Sequence, residues 1–164
     1  MSKQGLMFRS NSRPSSLARR RFDDDRLRRA GLVALAAALL ASMGIRTVTL
    51  HLVDVSRSFA PLHATSVISL TAIGVLAAVF ACTELNKLVA APVTVFRRVA
   101  PGALLLSFGP DIGVWIGHSN PGTRAATMIP LMLAHVAVAL ICVTVLPWLG
   151  VDSSSRIDSA DVSN

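Results

Sequence analysis

Charge is what this sequence has least of, and where it is missing decides most. Between Ala30 and Val151 the charged residues are Arg46, Asp54, Arg57, Glu84, Lys87, Arg97, Arg98, Asp111 and Arg124. That is roughly 7% of the stretch, against about 25% in soluble domains. A water-soluble helical bundle needs polar outer faces, and this stretch lacks the residues to make them, so lipid is the expected solvent. Cysteine is scarce too. Cys82 and Cys142 form no C-x-x-C motif, so they are read as small apolar packers rather than a redox pair. Nucleophile elbows, phosphate loops, Rossmann fingerprints and HExxH are absent. His51, His63 and His118 share no metal-ligand spacing on one helix, so neither a metal nor a cofactor is expected. The apolar runs show no strand-like alternation, which argues against a membrane β-barrel, and no heptad or longer repeat is present.

What is present is hydrophobic length. Of the 164 residues, 52% are hydrophobic and the mean hydropathy is +0.59, and the apolar residues gather into four runs. Each run can be compared with the roughly 20 residues that cross about 30 Å of hydrocarbon. Helices are expected at about 30–52, 66–90, 99–117 and 125–149. The first run outlasts a signal-peptide h-region and ALLASMG offers no clean cleavage site, so it reads as a retained anchor. Pro92 is expected to stop the second helix. Pro101 falls in the first turn of the third, where a missing amide proton costs little. Pro147, Trp148 and Gly150 close the fourth. The fold class is therefore all-α, an antiparallel bundle of four transmembrane helices over 28–150. A disordered basic arm (1–27) precedes it and a short disordered tail (151–164) follows.

The net charge of +7 comes mostly from the first 29 residues, which hold Lys3 and eight arginines against Asp23, Asp24 and Asp25. Because that cluster abuts an apolar helix, it suits anionic lipid headgroups better than nucleic acid, and no nucleic-acid partner is expected. Lys87, Arg97 and Arg98 in the link between the second and third helices outweigh Arg57 and Arg124 in the other loops. Both termini are thus expected in the cytoplasm, with the protein in a bacterial cytoplasmic membrane. The link is expected at 91–98, holding the second and third helices as a hairpin. Glu84, with Asn86, lies within reach of Lys87, Arg97 and Arg98, and these charges read as an interfacial salt-bridge cluster.

Three ionisable residues fall inside the runs. At about 1.5 Å per residue, Asp111 lies some 18 Å deep in the third helix, Arg46 near 24 Å in the first, and His135 at a similar middle level in the fourth. An isolated charge at such depth costs roughly 2.5–3.5 kcal/mol, so Arg46 is expected to pair with Asp111 unless it snorkels to headgroups. Leu104, Ser107, Asp111, Val114 and His118 recur at three and four residues along one stripe. Pro110 cannot donate to the carbonyl of Leu106, so a kink is expected at Gly109 and Pro110. Ser42 and Ala38, one and two turns before Arg46, permit close helix approach.

Two readings of Arg46, Asp111 and His135 follow. They form a buried lock that fixes helix register, or the proton relay of a small proton-coupled carrier. A lipid or quinone enzyme using His135 and Asp111 as acid and base would lack a nucleophile or metal motif. The first reading makes the protein a non-enzymatic membrane component: a scaffold, a subunit or a homo-oligomer. FAPL (Phe59–Leu62), FRRVAPGALLLSFGPD (Phe96–Asp111) and PLMLAHVAVALICV, above all Leu131–His135, appear in that order behind a basic arm. The order resembles a family of small four-helix membrane proteins of unknown function, common in actinobacteria, over about Arg28 to Leu149. The resemblance implies the four-helix topology and carries no activity.

Overall fold

The computed structural model describes residues 21–52, 62–117 and 125–151. The expected disorder of the outer arm and tail, and the loop positions of Phe59, Pro61, Arg57, Arg124 and His118, lie outside those residues. The described chain is all-α apart from one isolated bridge between Phe22 and Val151. Its elements are α1 (Asp24–Leu52), α2 (Ala64–Leu88), α3 (Pro92–Ser107), α4 (Gly109–Gly117) and α5 (Ala125–Gly150). Counting α3 and α4 as one broken span, four segments are long and apolar enough to cross a membrane. Their outward faces agree: Leu40, Leu106 and Trp148 are each at least 75% exposed. Soluble monomers rarely expose such large contiguous apolar surface.

α1 begins at Asp24 rather than at residue 30, and the reason is local. The Asp23 carboxylate accepts a 2.9 Å hydrogen bond from the Arg26 backbone N–H, and Asp24 and Asp25 occupy the first turn. A side-chain cap plus negative charge at the positive end of the helix dipole starts the helix early. Residues 22–27, expected in the disordered arm, are therefore part of the fold. Phe22 is buried. Its N–H donates to Asn86 Oδ1 (3.1 Å), and its carbonyl accepts from Asn86 Nδ2 (2.9 Å). Its ring meets Phe96 edge-on at 6.4 Å. The adjacent Asp23 N–H donates to the carbonyl of Gly150 (2.9 Å). Phe22 and Asp23 thus join the start of α1 to the ends of α2 and α5 and to α3.

From that latch α1 runs in its most extensive contact with α5 and then α2. Its buried face is small: Ala30, Ala34, Ala38 and Ser42 recur every four residues, flanked by Gly31. Lipid chains are as apolar as leucine, so helix association in a bilayer relies on close van der Waals packing, which small residues allow. At Gly31 the approach is closest, since a Cβ there would stand 2.9 Å from Val79 Cγ2 of α2.

Pro92 begins α3 instead of merely ending α2. It sits in the first turn, where a proline's missing N–H has no intrahelical partner to lose. The link contracts to Val89, Ala90 and Ala91, and Pro101, expected in a first turn, lies inside α3. α5 likewise continues through Pro130 and Pro147 to Gly150.

Candidate functional site: an intramembrane carboxylate and imidazole

The third span breaks at Phe108, between α3 and α4. Pro110 has no N–H to give the carbonyl of Leu106, so the ladder is interrupted there. The Phe108 N–H reaches back only three residues, to Leu105 O at 3.3 Å, and the helix resumes with Ile112 N–H donating to Phe108 O at 2.9 Å. The nine residues of α4 are otherwise apolar or glycine, yet their one buried member is Asp111. The break places a carboxylate, rather than an isoleucine or tryptophan, against the bundle.

Its partner is on α5. His135 Nδ1 lies 3.3 Å from Asp111 Oδ2 and 3.0 Å from the carbonyl of Leu131. A bare nitrogen lone pair facing a carbonyl oxygen would be repelled, so we assign the proton to Nδ1, donated to Leu131 O. That hydrogen is spent on the backbone. Asp111 Oδ2 is within ion-pair distance of the ring but is buried without a hydrogen-bond partner. The contact is a proximity of polar groups in an apolar medium, not a made hydrogen bond. The ring edge of Phe108, at the break itself, packs on His135 at a centroid distance of 6.0 Å.

Arg46 does not join them. Its Nε donates to the carbonyl of Leu62, 2.9 Å away in the turn before α2, and among the described residues no ion pair links it to Asp111. Arg46 lies six residues before the end of α1 at Leu52, close to the turn that holds Leu62. It continues the row of Ala34, Ala38 and Ser42 and meets the unpaired backbone at the foot of α2. One turn below, Thr71 Oγ1 donates to Ser42 Oγ at 3.1 Å. The expected three-residue cluster is thus an Asp111–His135 pair and a separate arginine tether.

Of the interfacial charges, Lys87 Nζ meets Glu84 Oε1 at 2.8 Å. Arg97 and Arg98 are exposed on α3, and neither bonds Glu84. Cys82 and Cys142 are free and buried. Among the described residues no three His, Cys, Asp or Glu side chains gather as a metal site.

Two features escaped sequence reasoning. One is the Phe22–Asn86 latch, which the acidic run ahead of an apolar helix signals as a cap. The other is a cleft of about 330 Å³ between α2, α3 and α5, lined chiefly by alanine and other apolar side chains, with Thr71, Ser107 and His135 among its few polar groups. Only tertiary structure brings those three faces together.

A model of a family of unknown function, DUF6069, matches residues 22–148, from the latch residue Phe22 to the last turn of α5. No curated protein and no solved structure matches the chain.

Proposed function

The chain belongs to the DUF6069 family, and from that premise we propose a non-enzymatic, multi-pass component of the bacterial cytoplasmic membrane. Its four spans form an antiparallel bundle with both termini in the cytoplasm, the basic arm resting on anionic headgroups. It acts as a scaffold, subunit or homo-oligomer, and the Asp111–His135 pair is a structural lock that holds the broken third span to α5. The observation carrying this reading is that Asp111 is the sole buried residue of α4 and reaches its partner across a helix break. In hydrocarbon, a polar group has nowhere cheaper to go than another polar group.

A second reading, a small proton-coupled carrier using the same pair, draws on the Asp111 oxygen that has no hydrogen-bond partner. The two separate in one experiment. For a lock, His135→Ala leaves Asp111 without a partner and costs about 1–3 kcal/mol in detergent, and Asp111→Asn in that background recovers part of the loss. For a carrier, each single variant keeps its melting temperature and abolishes pH-driven flux in proteoliposomes.

A further inference from the structure

The cleft between α2, α3 and α5 has a chemical polarity that its apolar lining conceals. Three of its polar side chains are Thr71, Ser107 and His135. Thr71 Oγ1 spends its hydrogen on Ser42 Oγ, and Ser107 Oγ spends its own on the carbonyl of Leu104 at 2.7 Å. His135 Nδ1–H goes to Leu131 O, so Nε2, on a ring that lines the cleft, is the nitrogen with a lone pair to offer, and it bonds no described residue. All three donors are used, and what these groups still offer is lone pairs. A head that only accepts hydrogen bonds, such as a carboxylate, phosphate diester or ketone, finds no donor from them.

Depth narrows the choice further. His135 lies about 15 Å along α5 from Ala125, which in a 30 Å hydrocarbon layer is well below the headgroups. An ammonium head would donate, but a charge is costly at that depth, while a hydroxyl donates and stays neutral. From Ser107 and His135 the cleft extends about 12–16 Å along α3 and α5 to Phe96 and Val143, past alanines that leave it open. Its volume, about 330 Å³, is at the small end of ligand sites, about 300–1,000 Å³, and suits one chain rather than two.

We propose that this cleft binds a single-chain lipid alcohol, its hydroxyl donating to His135 Nε2 and its chain lying along α3 and α5. The proposal rests on the membrane placement above and is independent of whether the pair is a lock or a relay.

The test uses the full chain in phosphatidylcholine nanodiscs and three photoreactive diazirine probes of equal length: hexadecanol, hexadecan-2-one and hexadecane. Cross-links are mapped by mass spectrometry. Hexadecanol is expected to label the cleft at least fivefold over the other two, to lose about fivefold in His135→Leu, the worth of one hydrogen bond, and to be excluded in Ala103→Phe. Ala103 is exposed on the cleft wall, so filling it does not disturb the core, and that variant stands even where His135→Leu fails to fold. Equal labelling by hexadecane, preference for the ketone, or labelling no richer in the cleft than at Leu40 and Trp148 overturns the proposal. In a chain that inserts into the discs, those results leave the membrane placement standing. A chain that fails to insert brings down both.

Discussion

The two sides of this bundle are held by different means. α1 packs against α5 and α2 through a continuous row of alanine, glycine and serine, with Ala30, Ala34 and Ala38 fully buried. The α3–α4 span buries only 6% of its apolar window, the least of the four. It is broken in the middle and leaves a cleft where it leans on α2 and α5. On the first side, stability comes from backbones brought close enough for dispersion to accumulate, which in lipid is the main force available. On the second, apolar contact is thin, and a carboxylate beside an imidazole and an edge-to-face ring contact at the break take its place. The bundle thus separates a tightly packed side from a side that leaves a cleft open.

That contrast is most directly broken by adding volume to each side. Ala38→Leu forces a branched side chain into a fully buried position and is expected to cost about 3 kcal/mol or more, the upper range for overpacking. Ala103→Leu, on the exposed wall of α3, is expected to stay within about 0.5 kcal/mol. Denaturation in mixed micelles reads both. Equal losses would show that the third span is packed as tightly as the rest, and the division of labour would be gone.

The latch is expected to come next. Asn86→Ala removes both partners of the Phe22 backbone, a donor and an acceptor on a buried residue, and is expected to cost about 1–3 kcal/mol. Hydrogen exchange should rise first in the opening turns of α1, where Phe22 and Asp23 are tied down. Smaller still is the effect of Pro110→Ala. It restores an N–H to the carbonyl of Leu106 and is expected to slow exchange across 106–112 severalfold while shifting global stability by less than about 1 kcal/mol. Unchanged exchange would mean that Gly109 and the packing of Phe108, rather than the proline, make the break.

The four spans were legible because hydrophobic length and scarcity of charge are properties of residues taken in order, and a bilayer imposes them with little regard to tertiary detail. Asp111 and His135 stood out because each is alone in an apolar run, but the sequence grouped them with Arg46 and expected Asp111 to pair with the arginine. Arg46 was paired with the wrong group because its acceptor, the carbonyl of Leu62, is a backbone atom at the foot of α2 that no pattern of side chains announces. The early start of α1 was written in Asp23, Asp24 and Asp25, whose capping chemistry was masked by their reading as part of a charged arm. The turn at Pro92 was misread in the same way, since a proline after an apolar run ends one helix and begins the next with equal ease. The cleft was not legible at all. Alanines on α2, α3 and α5 mark small faces, but which faces meet, and whether they close, depends on contacts between segments far apart in the chain.

The weakest effect belongs to the neighbour of the latch residue, and it isolates burial from charge. Asn86 and Lys87 are consecutive at the end of α2, and both make short side-chain hydrogen bonds, to Phe22 and to Glu84. Lys87 is mostly in the open, however, with 64% of its side chain exposed and 37% of its partner's. An exposed pair one helical turn apart loses in side-chain entropy and ionic screening nearly what it gains in attraction. Lys87→Ala is therefore expected to leave the melting temperature unchanged within error at moderate salt, beside a clear fall for Asn86→Ala. A fall of equal size in both would mean that the terminal end of the bundle is held by its interfacial charges. The small-residue side would then owe less of its strength to close packing than the contrast with α3 and α4 requires.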